Sequence, residues 1–531
     1  MTLYRCGFGC AEITAYERGM GLLGWGRPDN VALGVAEPLF ARAALVEDPA
    51  GGGRVAYVCA DLCFISGALR QAVLDRLREA SARLRLDARS VMLTATHTHS
   101  GPSGFSDAFF YELACPGISA HVLDTIADGI VSAIALAHDR LEPARLTLAR
   151  VRIPCAERIA FNRSLEAYLR NPEARRAPRT GADRAVDRTM TLLAAHDARG
   201  RAIGALAFFA LHATSIHADS QRLHSDSRGL AAGMLERWAR AHGASDEFVA
   251  AFPQGSAGDV TPNHRFDARR GVTVGAFDDD TDSAAHVARV LSGAAASLLA
   301  RMPEAGEPLG GPVGGALAHH ELGPRAAVGV GMAAGTAEGP GPLGRLSFLL
   351  RWRAARGPGD KRVLLEVGPG RRDRLFGRVD PIAIPLASPV LEHARRAREN
   401  GGGVDELPWI PTVLPLALLR IGQLAVAGLP NEPTTVAGAR IARALAAVLR
   451  PRGVTHVHVQ GYANDYAGYL TTPEEYALQR YEGAYTLFGA RSLDAFTRAL
   501  VALAREPQPH GELASLALCS PAQRAARAFA G

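Results

Sequence analysis

The sequence predicts an α/β fold of the mixed α+β type. In this fold a large mixed sheet carries helices packed on its outside. Three observations support this prediction. Apolar runs of strand length alternate with longer segments of helical periodicity. Several of these runs end at loops that carry histidine, glutamate or tyrosine. The chain has 531 residues, of which 48% are hydrophobic and 21% are charged, as expected for a globular protein with a sizeable core.

The first part of the chain alternates predicted strands and helices. Residues 39–46 and 55–62 are apolar, and the second run is richer in β-branched residues, which favours buried strands. Residues 66–86 have helical periodicity, and residues 118–138 form an amphipathic helix with apolar residues every four positions. Residues 146–153 alternate between apolar and polar side chains, as a half-buried strand does.

The later part of the chain repeats one arrangement, in which a predicted strand leads into a polar loop. The run 203–211 ends at His212, and the run 248–252 leads into a loop that carries Asp259 and Thr261. The run 417–429 is β-like and ends just before Glu432. A further strand, 454–459, precedes a tyrosine-rich segment. In such sheets, ligands gather beyond the carboxyl ends of the strands, so these loops are expected to form one site.

The domain organisation predicted from the sequence is a single domain over residues 1–531. Two lobes, 1–300 and 320–531, are the alternative, joined by a glycine-rich connection near 303–344 that is expected to be irregular. The basic, glycine-bounded segment 369–403 is interpreted as a surface insertion.

Composition indicates which binding partners and which cellular compartment to expect. The net charge is only +6 and no basic run stands out, so nucleic acid is not an expected partner. No segment reaches the roughly eighteen uninterrupted apolar residues of a membrane helix, and the N-terminus lacks the apolar core of a signal peptide. Seven scattered cysteines indicate reduced thiols, and hence a cytoplasmic protein. Oligomeric state is left open.

The stretch after the predicted strand 91–93 is the strongest candidate for chemistry. His97 and His99 are two residues apart, so in extended backbone both imidazoles point to the same side. Neutral imidazole is the commonest side-chain metal ligand, and a second histidine beside it can bond a reacting oxygen. A packing or capping role is the competing interpretation for such a pair. Asp61 has two equal interpretations, as an orienter of a histidine or as a strand-end cap.

Four stretches far apart in the chain thus deliver His97, His212, Glu432 and a tyrosine cluster to loops at strand ends. Two histidines and one glutamate are the ligand set of a catalytic zinc that keeps one position open for water. The sequence therefore predicts one Zn²⁺ per chain at the strand ends.

Seven motifs, in order from about Gly7 to Phe496, resemble the neutral, alkaline-type, non-lysosomal ceramidases. They are ATHTHSGPSGF, FNRSLEAYLRNP, FFALHATSI, QGSAGDVTPN, MAAGTAEGPG, LPNEPTTVAG and YLTTPEEYALQRYEGAYTLFG. The resemblance implies zinc-dependent cleavage of the amide of N-acylsphingosine to a fatty acid and sphingosine. By position, it implies metal ligation by His97, His212, Glu432 and Tyr469, with Tyr466 as the alternative tyrosine.

The same resemblance implies that His99, Arg163 and Tyr481 contact the substrate amide or its developing oxyanion. Zinc lowers the pKa of a bound water from about 16 toward roughly 7, which provides a nucleophile at neutral pH. His99 is our candidate for the acid that protonates the leaving amine. Asp259 would orient a ligand or that acid, or would cap a helix at GDVTPN.

Departures from the family pattern concern residue 261, the C-terminal part and the substrate. Family members commonly carry a further immunoglobulin-like C-terminal domain, which we do not expect after the tyrosine-rich segment of this sequence. Thr261 stands where the family has serine, which keeps the hydroxyl but stiffens χ1. The expected substrate is a lipid or another small N-acyl amide. The alternatives are the same metal centre acting on a different N-acyl compound, or one that forms or cyclises amides in a biosynthetic pathway. A catalytically silent binding protein is the rival from another class.

Overall fold

A computed structural model describes most of the chain. The residues described are 3–48, 51–112, 115, 117–174, 181–323, 325–341, 355–356, 361–367, 393, 396–403, 406–407, 409–506 and 518–528. Most of the predicted surface insertion at 369–403 lies outside these ranges.

The largest element in the described ranges is a nine-stranded mixed sheet. Its central strands pair antiparallel, whereas the strand pairs at both ends are parallel. In spatial order the strands are Val249–Ala251, Ala202–Phe208, Thr189–Asp197, Glu142–Arg152, Tyr4–Glu12, Phe40–Glu47, Arg54–Ala60 and Val91–Ala95, with Glu307–Pro308 paired to Glu142–Arg152. The prediction of a mixed sheet is confirmed.

A smaller sheet packs against one face of the large sheet. Its four strands, in spatial order, are Val313–Glu321, Val413–Ile421, Leu424–Gly428 and His456–Gln460. One apolar cluster includes Tyr57 and Phe208 of the large sheet and Leu317 and Val426 of the small sheet, so the two sheets share a core. The loop that follows His456–Gln460 also bonds to the large sheet, since Asn464 N donates to the Leu93 carbonyl at 2.9 Å.

The remaining strands are short pairs around the two sheets. A three-stranded sheet contains Ala326–Gly329, Arg362–Val367 and Ala355–Arg356. The two-stranded pairs are Leu22–Leu23 with Gly101–Pro102, Phe161–Asn162 with Val260–Thr261, Arg265–Asp267 with Val272–Val274, and Glu432–Pro433 with Tyr469–Leu470.

The helices pack on the outside of the sheets, as predicted. They are Gly67–Glu79, Ser81–Leu84, Phe109–Glu112, Ala120–Asp139, Leu165–Tyr168, Asp226–Ala241, Asp280–Ala305, Val330–Ala334, Thr435–Leu449, Pro473–Ala477, Tyr481–Ala484, Ser492–Arg505 and Pro521–Ala526, with single 3₁₀ turns at Cys155–Glu157 and Arg450–Arg452.

Two of these helices, Ala120–Asp139 and Asp280–Ala305, are long and apolar enough to meet a length-and-composition test for a membrane span. The first begins at the N-cap Ser119, whose hydroxyl accepts from Val122 N at 3.1 Å. It buries one apolar face against the large sheet, through Val122, Ile126, Ile130 and Ile134. Half of the tested window is buried in each helix, so such a test is weak evidence of a span.

Three expectations need correction. The predicted single strand 417–429 is a hairpin, because Gly422, at φ +58°, turns the chain between two antiparallel strands. The segment 303–344 is not irregular throughout, since Val313–Glu321 pairs along its full length with Val413–Ile421. Asp61 does not orient a histidine: its carboxylate accepts from Arg42 at 2.9 Å and from Phe40 N at 3.0 Å, which resembles a strand-end cap.

Asp465 gives this fold a testable pH dependence. Burial raises the pKa of Asp465 to about 7, although its carboxylate accepts from Gly67 N and Tyr466 N at 2.9 and 2.8 Å. Between about pH 4 and 7 the folded state therefore holds a proton that the unfolded state has lost, so the contribution of Asp465 to stability falls as pH rises. Asp465→Asn keeps an acceptor for both amides and removes this titration.

We expect the stability of Asp465→Asn relative to the wild type to increase from pH 4 to 7, by at most about 1.4 kcal/mol per pH unit. Denaturant unfolding at several pH values measures this difference. The exposed Asp246→Asn is the matched control. A flat difference between Asp465→Asn and the wild type would show that Asp465 is ionised in the folded protein at pH 5.

Candidate metal centre

The structure brings His97, His212 and Glu432 together. Glu432 Oε2 lies 3.4 Å from His97 Nε2 and 3.1 Å from His212 Nε2, and all three side chains are buried. His97 follows the strand Val91–Ala95, and His212 follows Ala202–Phe208. Glu432 opens the short strand Glu432–Pro433, which follows Leu424–Gly428. The expected convergence of loops at strand ends is therefore present.

Backbone carbonyls fix the orientation of both imidazoles. His97 Nδ1 lies 2.6 Å from the Cys63 carbonyl, and His212 Nδ1 lies 2.7 Å from the Ala257 carbonyl. A carbonyl can only accept, so each Nδ1 carries the hydrogen and each Nε2 presents a lone pair toward Glu432. An N–H bonded to a carbonyl on the far side of the ring is the usual support for a metal-binding histidine.

Tyr469 lies beside this set. Glu432 and Tyr469 are paired in neighbouring parallel strands, and the Tyr469 hydroxyl lies 3.2 Å from His212 Nε2. The alternative, Tyr466, donates instead to the second oxygen of Glu432, and Tyr462 donates to Glu432 Oε2 at 3.1 Å. The geometry thus favours Tyr469 over Tyr466 as a fourth ligand and makes Tyr466 and Tyr462 partners of the carboxylate.

The spacing of the donor atoms suits a tetrahedral ion. Bonds of about 2.0–2.1 Å to nitrogen and oxygen place neighbouring donors of a tetrahedral zinc site about 3.3–3.4 Å apart. Three of the separations between donor atoms are close to this value: 3.1 Å from Glu432 to His212, 3.2 Å from His212 to Tyr469 and 3.4 Å from Glu432 to His97. Two lone pairs, one carboxylate and one phenol oxygen at these distances suit a divalent cation.

The charge states agree with that fit. Burial opposes ionisation of Glu432, but His97 and His212 hold the pKa of its carboxyl well below its ordinary value when their facing nitrogens carry the protons that an ion would replace. Burial, together with the nearby Arg163, lowers the pKa of His212. A carboxylate next to neutral imidazole is the state that binds a metal. Burial raises the pKa of Tyr469, whereas Arg163 acts in the opposite direction.

A second grouping, Cys63 with His97 and His99, overlaps the first. Cys63 Sγ lies 3.8 Å from His97 Nδ1, the nitrogen already committed to a carbonyl. Burial raises the pKa of the Cys63 thiol well above its ordinary value, whereas metal ligation requires a thiolate. The group that contains Glu432 is therefore the better candidate for holding a metal ion.

The sequence predicts extended backbone at His97, but the structure shows that this prediction is wrong. His97 has φ +66°, and Tyr462 and Asn464 on the facing loop have φ +56° and +64°. Non-glycine residues rarely adopt this left-handed conformation, and such strain collects at functional sites. His97 and His99 nevertheless face each other, with their Nε2 atoms 3.1 Å apart.

His99 forms the wall between the ligand set and Trp25. Its ring packs edge-to-face on Trp25 at 5.1 Å, and its Nδ1 has no hydrogen-bond partner among the described residues. A Cβ at Gly24, which has φ +124°, would lie 2.4 Å from the His99 ring, so only glycine allows this approach. Burial, His97 and His212 lower the pKa of His99 well below its ordinary value, so the ring is neutral.

Arg163 contacts the same Tyr469 hydroxyl that His212 contacts. It donates to the Tyr469 hydroxyl at 2.8 Å and to the Gly258 carbonyl at 2.9 Å. Its guanidinium also lies 5.5 Å from the centre of the Tyr481 ring. Arg163 and Tyr481 therefore both border Tyr469, as the resemblance implies for residues that contact a substrate.

Two carboxylates hold Arg163 in place by accepting its hydrogen bonds. Neither carboxylate was predicted from the sequence. Glu482 accepts from Arg163 Nε at 2.9 Å, and Glu338 accepts from its NH1 at 3.3 Å. Glu338 also accepts from Thr214 and Asn263, at 3.0 and 3.1 Å. Glu338 lies in the glycine-rich segment interpreted as a connection, and no local pattern marks it. The MAAGTAEGPG and YEGA motifs were the only signals for these two acids.

Glu338→Gln should lower kcat by about 10-fold, because one of the two carboxylates that hold the Arg163 guanidinium becomes a neutral amide. The amide remains able to accept from Thr214, so the fold and the metal content should be unchanged. Steady-state kinetics and metal analysis of the variant check this. Unaltered kcat would mean that Glu482 alone orients the arginine.

Asp259 and Thr261 lie in the loop behind the ligand set. Asp259 accepts from the Thr435 amide at 2.7 Å and its hydroxyl at 2.8 Å, and from Asn162 at 2.6 Å. No helix begins at GDVTPN, which the structure describes in full, so the expected cap of a local helix is wrong, and these contacts lie instead at the start of the distant helix Thr435–Leu449. Thr261 Oγ1 accepts from Asn263 N at 2.9 Å and also helps to lower the pKa of Glu338, so the hydroxyl retained from the family serine has a structural partner.

The fold and this site define an α/β protein with a buried group of side chains that could hold a metal ion, beside a neutral histidine and an anchored arginine. The chain belongs to the neutral/alkaline non-lysosomal ceramidase family: the model of its N-terminal region matches residues 4–348 and 398–498. The chain is thus an amide hydrolase of the ceramidase family.

Individual ceramidases align over nearly the whole chain. It is 34% identical to the neutral ceramidase of Pseudomonas aeruginosa, over 94% of this chain and 72% of that protein. It is 31% identical to the neutral ceramidase of Mycobacterium tuberculosis, over 96% of this chain and 79% of that protein. A solved ceramidase complexed with C2 superposes with a TM-score of 0.78 at 31% identity, covering 98% of this chain and 78% of that chain.

Proposed function

We propose that this protein is a zinc-dependent ceramidase that cleaves the N-acyl amide of a ceramide-like lipid to a fatty acid and the free amine. The observation that carries the proposal is the buried convergence of His97, His212, Glu432 and Tyr469, with neighbouring donor atoms 3.1–3.4 Å apart. Similarity to named ceramidases supports the substrate class.

His97, His212, Glu432 and Tyr469 would hold the ion. Zinc at this position would supply a Lewis acid for the amide carbonyl and would lower the pKa of a water toward about 7. Cys63 and Ala257 keep the two imidazoles in the tautomer that ligation needs, and Tyr462 and Tyr466 hold the carboxylate. These outer contacts keep the four side chains in place before substrate arrives.

His99 is suited to move the proton. Its neutral ring faces the ligand set through Nε2, and with the His97 lone pair committed to the ion this nitrogen is free to accept the proton of the attacking water. The same atom then returns the proton to the leaving nitrogen, since an amine leaves far more readily than its anion. Trp25 and Gly24 keep the ring in this orientation.

Arg163 and Tyr481 are suited to stabilise the developing oxyanion. Burial raises the pKa of Tyr481, so its phenol remains a donor at neutral pH. Tyr469, Glu482 and Glu338 hold the pKa of Arg163 above its ordinary value in spite of burial, so it remains a cation. Fixed donors in a buried site act strongly on a charge that appears only in the transition state.

The direct test is product formation by the purified chain. Incubation with an N-acylsphingosine should release fatty acid and sphingosine in equal amounts, measured by mass spectrometry. Removal of metal with a chelator should abolish release, and zinc should restore it. A panel of acyl lengths defines the substrate. Failure to cleave any N-acylsphingosine while a shorter N-acyl amide is cleaved would overturn the assignment to ceramide.

A further inference from the structure

The sequence contains a single lysine, Lys361. Every other basic side chain in the Lys+Arg total of 59 is arginine. A lone exposed lysine would need no explanation, but Lys361 is 1% exposed. Burying an amine is costly unless its hydrogens are paired, so its surroundings must compensate for the lost water.

Three backbone carbonyls enclose the amine. Lys361 Nζ donates to Ala327 O at 2.8 Å, to Ala484 O at 3.1 Å and to Thr486 O at 2.6 Å. Three acceptors match the three hydrogens of an ammonium group. The Tyr476 ring completes the enclosure, with its centre 5.3 Å from Nζ. Within the described ranges no carboxylate forms an ion pair with this amine, so carbonyl dipoles and one aromatic face hold it.

Arginine is a poor replacement at this position. Its planar guanidinium carries five hydrogens in a fixed fork and occupies more space than a compact ammonium. The cage offers three converging acceptors and no solvent for the remaining hydrogens. The three carbonyl acceptors therefore explain why this position has a lysine although every other basic position except the histidines has an arginine.

Two of the three carbonyls belong to the segment that carries Tyr481. Ala484 ends the short helix Tyr481–Ala484, and Tyr485 N donates back to Tyr481 O at 2.9 Å. Tyr485 O in turn accepts from Tyr469 N at 3.2 Å. The third carbonyl, that of Ala327, belongs to the three-stranded sheet beside this segment. The amine thus ties that sheet to the backbone of two tyrosines of the site.

We propose that Lys361 is a positioning residue for the ceramidase site. Its ammonium group holds the turn after Tyr481 by hydrogen bonds to backbone carbonyls, and it thereby keeps Tyr481 and Tyr469 in position at the candidate metal centre. Burial lowers the pKa of Lys361 to about 7, whereas the carbonyl cage favours the charged form. The activity readout below rests on the proposed function, and the spectroscopic readout does not need turnover.

The first test uses the wild-type chain. Because there is one lysine, protein labelled with ¹⁵N-lysine gives one side-chain amine signal. We expect slow hydrogen exchange at this amine and a shift of its signal when Zn²⁺ is added to chelator-treated protein, with zinc uptake measured in parallel. Fast exchange typical of an exposed lysine, or zinc uptake with no change in the signal, would overturn the inference. Absence of zinc uptake would instead count against the proposed function.

The second test compares two neighbouring variants. Lys361→Met should lower kcat at least 10-fold with little change in KM and with metal content retained, and Lys361→Arg should not restore it. Arg362→Met, at the exposed next position, should stay within about twofold of the wild type. Full kcat in either Lys361 variant would contradict a positioning role, whatever its melting temperature. If both variants fail to fold, hydrogen exchange and the zinc-dependent shift of the labelled amine in the wild-type protein decide whether Lys361 has a positioning role.

Discussion

Arg163→Ala should lower kcat by about 10²- to 10³-fold, the loss typical of removing one donor to an oxyanion. The metal content should not change, because Arg163 contacts Tyr469 and no other predicted ligand. Removing the cation also leaves Glu338 and Glu482 without their partner, so some loss of thermal stability is expected. Arg163→Lys keeps the charge but cannot bridge both carboxylates, so we expect an intermediate rate.

Steady-state kinetics on a short-chain N-acylsphingosine, with metal analysis of each preparation, measures both effects. Arg170→Ala is the matched control, since this arginine is exposed in the same motif. An Arg163→Ala enzyme with wild-type kcat would remove the arginine from the reaction and leave its four bonds as purely structural.

His212→Ala is expected to lose both metal and activity. The loss of affinity should exceed the roughly 10- to 100-fold that follows removal of an outer hydrogen-bond partner of a ligand. The remaining His97 and Glu432 would leave an incomplete set, and the Tyr469 hydroxyl would lose its contact with an imidazole nitrogen. Competition with a zinc chelator measures the affinity of each variant.

His242→Ala provides the control, because its imidazole is exposed and bonds only to the Trp238 carbonyl in the described part of the chain. Full zinc binding by His212→Ala would place the ion elsewhere. Full turnover by the same variant would also rule out catalysis by this set of residues.

The sequence predicted the parts of the site that follow from local patterns. His97, His212 and Glu432 each come directly after an apolar strand, and the rule that ligands gather at strand ends was enough to bring them together. The mixed sheet and the amphipathic helix Ala120–Asp139 were likewise expected from periodicity. Tyr469 was chosen over Tyr466 only through resemblance, since nothing local distinguishes two tyrosines three residues apart.

The parts that were missed depend on contacts between distant segments. Glu338 and Glu482 are lone acids whose partner, Arg163, lies 175 and 319 residues away in sequence. Lys361 binds carbonyls, which carry no side-chain signature. The left-handed backbone at His97 is set by the packing of neighbouring loops, so the assumption of extended chain there was wrong although the two imidazoles do meet.

Metal analysis combined with X-ray absorption on the purified full-length chain tests the central claim most directly. The account predicts about one zinc per chain, with only nitrogen and oxygen ligands at about 2.0–2.1 Å. A sulfur ligand at about 2.3 Å would move the ion to the overlapping Cys63, His97 and His99 group. A preparation that cleaves N-acylsphingosine with no bound metal would contradict the account altogether.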